Sequence, residues 1–192
     1  MVTRNEQKEK RRKQILSAGL DLFIQKGLVA TKVSDIADAV GMSVGLLFHY
    51  FESKEQLYEE LIKIGLTKSQ TTLSADSDEP LQFFTEIAGN IFNKNNTFTV
   101  KMFVLMNQAA NCELLIEDVR RQLRQDNLIE SANIIRTGQE NGTIRDGDPL
   151  ALSVAFWGAV QGVCQIIVQN PDFPFPSAEW LVNIIKREDT EK

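Results

Sequence analysis

Apolar positions along the chain recur at steps of three and four residues almost from the start. In RRKQILSAGLDLFIQKG, residues 11–27, the set Ile15, Leu16, Gly19, Leu20, Phe23 and Ile24 makes one face of a helix, and Gly27 offers it a left-handed stop. A short helix over VSDIADAV follows, with Thr31 placed to accept backbone N–H bonds at its start and Gly41 after its end. Ser43 can cap a third helix reaching Tyr50. Ser53 and Gln56 have capping-box spacing and open a fourth, running to about Ser69. The same periodicity predicts helices over 79–94, 98–110, 113–140, 149–169 and 177–188. Asp148 followed by Pro149 marks one start, and PDFPFP separates the last two helices. Sustained strand alternation and internal repeats are absent from the sequence, so the predicted class is all-α.

Composition changes this picture little. With 192 residues and 43% hydrophobic content the chain can bury a core, which excludes a disordered polymer. No unbroken apolar run approaches a membrane span, and two cysteines, Cys112 and Cys164, are too few for a disulfide framework. The expectation is a cytoplasmic protein with no membrane partner. Charge is more informative. Residues 1–54 hold nine Lys/Arg against six acids, a net +3, while the other twelve bases face twenty acids, a net −8, giving the overall −5. A basic front end on an acidic body concentrates affinity for polyanions at one end.

The stretch GMSVGLLFHYFESKEQL, residues 41–57, gives that end a shape. Ala37, Gly41 and Leu47 sit where a helix-turn-helix needs a small residue at the crossing, a positive φ in the turn and an apolar plug on the second helix. Leu47, Tyr50 and Phe51 can then point inward while Val44, Gly45, Phe48 and His49 point elsewhere. Thr31 with Lys32, and Ser43, stand at helix starts whose unsatisfied N–H groups suit phosphate oxygens.

Residues 10–57, with ILSAGLDLFIQKGLVATKVSDIADAVGMSVGLLFHYFESKEQLYEEL at their heart, closely resemble the DNA-binding domain of the tetracycline-repressor-like (TetR) family of bacterial transcription regulators. Beyond it the similarity is mostly architectural, with ENGTIRDGDPLALS resembling the family's turn into its penultimate helix. The resemblance implies a three-helix reading head, residues 1–52, and a helical ligand-binding and dimerisation domain, residues 53–192. It also implies a homodimer on double-stranded operator DNA, released by a small apolar effector. Val44, Gly45, Leu46, Phe48 and His49 match the family's groove-facing positions, and Tyr50 and Lys54 match its phosphate contacts. Many relatives carry Lys or Arg at Val44, a small or hydroxyl residue at Leu46, tyrosine at Phe48 and a neutral or basic residue at Glu52. These departures predict readout weighted toward apolar contact and DNA shape, with much of the affinity carried by Lys8, Lys10, Arg11, Arg12 and Lys13.

In the acidic body, Phe84, Ile87, Phe103 and Met106 lie on apolar faces at helical spacing, an ordinary core pattern. The resemblance makes them pocket candidates, with Asn107, Trp157 and Gln161 as polar groups able to orient a ligand. Arg120, Arg121 and Arg124 beside Glu117 and Asp118 read as a solvated, paired face. In DPLALSVAFWGAVQGVCQIIVQ the small residues Ala151, Ala155, Gly158, Ala159 and Gly162 form a stripe on which another helix can lie close, and Trp180 and Ile184 supply bulk for a partner helix. Two such helices from each of two chains would make an intersubunit four-helix bundle, as the resemblance implies. An intrachain contact is the other reading of the stripe. With one histidine, no metal-ligand cluster and no Gly-rich phosphate loop, no enzymatic reaction assembles and no cofactor is expected. A small-molecule sensor or carrier whose head binds DNA weakly is the alternative function.

Overall fold

The computed structural model describes the backbone of residues 3–73, 79–94, 97–112, 115 and 117–188, and their side chains apart from 68–73, 117–118 and 120–127. The charged side chains of the cluster from Glu117 to Arg124 and the expected helix start at 113 lie outside this description. The described elements are helical, with one isolated antiparallel bridge, Ile144 to Lys186. The chain forms two compact units, residues 1–66 and 67–192.

The first unit contains α1 (Arg4–Ala30), α2 (Val33–Ala39), α3 (Val44–Leu47) and the first turns of α4 (Lys54–Leu73). Its α1 opens on a reciprocal capping box between Thr3 and Glu6. The backbone N–H of Thr3 donates to the Glu6 carboxylate and holds its pKa below the usual range. The helix breaks at Gly27, whose φ of 76° is a conformation that side-chain-bearing residues resist. Ile15, Leu20, Phe23, Ile36, Leu47, Phe51, Leu57 and Leu61 fill the core, and Phe23 meets Tyr58 edge-on at 5.1 Å. Gly19 lets Leu57 lie against α1, since a Cβ there would stand 2.4 Å from the Leu57 Cδ2. Leu57, Tyr58, Leu61 and Ile62 are all buried, which moves the unit's end from the expected 52 into α4.

The second unit contains the end of α4, then α5 (Pro80–Ile91), α6 (Thr97–Ala109), α7 (Glu117–Glu140), α8 (Pro149–Gln169) and α9 (Ala178–Val182). α8 packs mainly on α7 and α6, and α9 mainly on α5. Asp148 caps α8 by accepting the Ala151 N–H at 2.9 Å, with Pro149 at the first turn. Two polar ties cross from α8 to α7: Ser153 Oγ donates to the Leu128 carbonyl at 3.0 Å, and Trp157 Nε1 donates to Ser131 Oγ at 2.9 Å. Because Ser131 and Ser153 are fully buried, each needs its partner to offset lost hydration.

Two sequence expectations change here. The last helix, expected over 177–188, is five residues long, because the segment after it turns and pairs with the α7–α8 loop. Arg145 N–H donates to the Ile185 carbonyl at 2.9 Å and Arg187 N–H to the Thr143 carbonyl at 3.2 Å, with Ile144 and Ile185 fully buried beneath. Second, α8 is long and apolar enough to cross a membrane by length and composition, contrary to the expectation that no run approaches that size. One side of it is core, where Phe156, Val160 and Cys164 are fully buried; the other side is apolar and exposed.

Candidate nucleic-acid interface

α2, a tight turn and α3 form the helix-turn-helix. Ala37 and Leu47 are buried at the crossing, and Gly41 takes φ 63° in the turn. Gly41 N–H donates to the Asp38 carbonyl at 3.1 Å and Met42 N–H to the Ala37 carbonyl at 3.0 Å, closing the turn. Ser43 caps α3, its hydroxyl accepting the Leu46 N–H at 3.2 Å. α3 ends at Leu47, short of the expected Tyr50, and continues as turns in which Tyr50 N–H and Phe51 N–H both donate to the Leu47 carbonyl. The result is a short platform. Leu47 and Phe51 anchor it from below, while Ser43, Val44, Gly45, Leu46, Phe48 and His49 are exposed and Tyr50 is half-buried.

Three basic or polar groups sit differently from expectation. Thr31 is fully buried and its hydroxyl donates back to the Gly27 carbonyl at 2.7 Å. The N-cap of α2 is Lys32, exposed and without a side-chain cap bond, so Thr31 closes α1 and is removed from the surface expected to meet phosphate. Lys54 is likewise committed. Its Nζ donates to the carbonyls of Leu28, Val29 and Thr31 at 2.8, 3.0 and 2.8 Å, which uses all three ammonium donors. In this structure Lys54 caps the carbonyl end of α1, where a cation also complements the helix dipole.

Arg12 is the third. Its guanidinium donates to the Tyr50 carbonyl at 3.0 Å, pairs with Glu60 on α4 and lies 4.4 Å over the Phe51 ring. One side chain of α1 thus holds the end of the reading platform against α4. Arg12 leaves the set of cations available to a polyanion, while Lys8, Lys10 and Lys13 remain exposed. On the far side, Lys26 pairs with Asp35 at 2.9 Å, tying α1 to α2 and lowering the Asp35 pKa. The roles of Arg12 and Lys54 were not visible in the sequence, since nothing local marks a carbonyl more than twenty residues away as a partner.

The body candidates separate into two groups. Phe84 and Ile87 are buried, and Phe84 meets Phe156 edge-on at 4.9 Å. Phe103 and Trp157 are half-buried and stacked at 5.8 Å. Asn107 donates to the Phe103 carbonyl at 2.8 Å, Met106 is half-buried and Gln161 is exposed. Trp157 and Asn107 thus already have partners within the unit. On α8, Ala155, Gly158 and Gly162 are exposed and Ala159 half-exposed, and a Cβ at either glycine would meet nothing within 4 Å. Leu150, Val154 and Ile166 extend the stripe at four-residue steps, each about half exposed. Their four-residue spacing is legible in the sequence. Trp180 is 70% exposed and Ile184 half-buried. α9 packs mainly on α5 and to a lesser extent on α8, and it leaves the glycines of the stripe open.

A helix-turn-helix head carrying an exposed platform, followed by a separate helical unit, defines the class to which the chain is compared. Residues 15–61 match the model of the bacterial regulatory proteins of the tetR family. The HTH-type transcriptional repressor KstR2 of Rhodococcus jostii is 45% identical over 56 residues, 29% of this chain and 28% of that protein. The matched region thus spans little more than a quarter of that relative. The HTH-type transcriptional regulator RutR of Escherichia coli O157:H7 is 28% identical over 155 residues, covering 79% of this chain and 72% of that one. Among solved structures, KstR2 of Mycobacterium tuberculosis has a TM-score of 0.69 at 22% identity, covering 93% of this chain and 96% of that one. The MbdR regulator of Azoarcus sp. CIB has a TM-score of 0.71 at 17% identity, covering 91% and 96%. At these identities the structural likeness concerns the fold. These relatives are regulators, and none is described as an enzyme. Among the described residues no group of three or more His, Cys, Asp and Glu side chains could hold a metal ion.

Proposed function

We propose that the chain is a dimeric transcriptional repressor that grips a palindromic DNA duplex with two heads and is released when a small apolar molecule enters the body. The observation that carries this reading is the helix-turn-helix head in a tetR-family match, with an exposed platform at Ser43 to His49. Lys32, Ser43 and Tyr50 serve as phosphate contacts, and Lys8, Lys10 and Lys13 add electrostatic affinity. The dimer forms through the α8 stripe of Leu150, Val154, Gly158, Gly162 and Ile166, with Trp180 and Ile184 beside it. An apolar face of this length would otherwise stay in water. A ligand parting the Phe103–Trp157 stack would act on the unit that holds the far end of α4, whose near end belongs to the head. The typical coupling for such a switch is about 1–3 kcal/mol, and by linkage DNA weakens ligand binding by the same factor.

The alternative, a sensor or carrier with a weakly binding head, draws support from Arg12 and Lys54, two cations spent on internal carbonyls. Selection of bound sequences from random duplex DNA separates the two readings. A repressor returns a two-fold symmetric site with half-sites a whole number of helical turns apart, roughly 34 Å each, and small apolar molecules then abolish binding. Recovery of no enriched duplex favours the carrier.

A further inference from the structure

We propose that the head reads thymine through its 5-methyl group, using Val44, Leu46 and Phe48 as an apolar contact surface. The inference rests on the reading that the head binds duplex DNA. These three side chains are 38, 44 and 47% exposed, whereas Ile36, Leu47 and Phe51 of the same head are buried to within 1%. Apolar side chains exposed on a platform that presents them outward are free to meet an apolar partner.

The chemistry of the platform narrows the partner. From Ser43 to His49 there is no Arg or Lys to form the paired bonds to guanine, no Asn or Gln for adenine, and no acid to accept from cytosine N4. The Ser43 hydroxyl already accepts the Leu46 N–H, and Gly45 has no atom within 4 Å of where a Cβ would stand, so the backbone can come close to the base edges. Of the features exposed in the major groove, the thymine methyl is the one an aliphatic or phenyl surface recognises. His49, exposed at the end of the platform, can add one hydrogen bond.

The test uses the full chain and the duplex recovered by selection, with thymines replaced one at a time by uracil. This substitution removes the methyl and leaves charge and pairing unchanged. Each contacted methyl should contribute about a four-fold change in affinity, the value of one buried carbon, while uracil outside the half-sites should change nothing. In Val44→Ala, Leu46→Ala and Phe48→Ala proteins the ratio of thymine to uracil affinity should fall toward one. Equal binding of thymine and uracil half-sites by the native protein overturns the proposal, and needs no variant to fold. Equal binding together with altered self-association in Leu46→Ala would assign the patch to a protein contact, which overturns it equally. Failure to select any duplex is a different result, and counts against DNA binding itself.

Discussion

Lys54 shows how far a single residue can differ from its motif. The family pattern makes it a phosphate contact; the structure gives its three donors to the last carbonyls of α1. Lys54→Met keeps the stem but leaves those carbonyls without their donor, at a cost of about 1–3 kcal/mol. Denaturant unfolding should report that loss. Because no phosphate contact disappears, the salt dependence of DNA binding should be unchanged, and a shallower slope would restore the phosphate role. Cys164 offers a second check at this scale. Burial on the core side of α8 pushes its thiol up to about 12, so it stays protonated and unreactive across the neutral range. Cys112 is half-buried. Titration with a thiol reagent near pH 8 should therefore label about one cysteine per native chain and both after unfolding. Since burial raises the folded pKa above the unfolded value of 9.0, this thiol's contribution to stability is present below pH 9 and is lost as pH climbs toward 12.

At the scale of elements, the sequence was most legible where periodicity meets a local cap. Ile15, Leu16, Leu20 and Phe23 defined α1, Gly27 and Gly41 carry the positive φ their positions suggested, and Asp148 with Pro149 starts α8 where expected. It was least legible where a distant segment competes. The apolar residues Leu181, Ile184 and Ile185 have helical spacing, yet pairing of the last segment with Thr143 and Arg145 stops α9 at Val182. Thr31 misled for a related reason, because a threonine before a helix can as well close the one before it. Two substitutions test the element-level account. Gly41→Ala meets no atom, so its effect should be backbone strain alone, about 1–2 kcal/mol of lost stability with the helical content kept. On α8, Gly158→Leu with Gly162→Leu should leave the single chain folded, since nothing lies within 4 Å of either added Cβ, and glycine is the weaker helix former by up to about 1 kcal/mol each. The same change should part the proposed dimer. Light scattering that still reports a dimer of unchanged stability would place its interface elsewhere.

The whole molecule joins a basic head to an acidic body, and the proposed function draws on both. The head's class was readable from residues 10–57, because turn, crossing and plug are fixed by a few positions close in sequence. The proposed effector site was not, since the body candidates pack within their own unit and a ligand's shape leaves no periodic trace. DNA binding by a dimer is the central claim, and one titration reaches it: fluorescence anisotropy of a labelled, selected duplex against the full chain, repeated from 50 to 200 mM salt. Two chains should bind per duplex. Affinity should drop steeply over that range, by about a thousand-fold if six phosphates are neutralised. One chain per duplex, or an affinity indifferent to salt, would contradict the account.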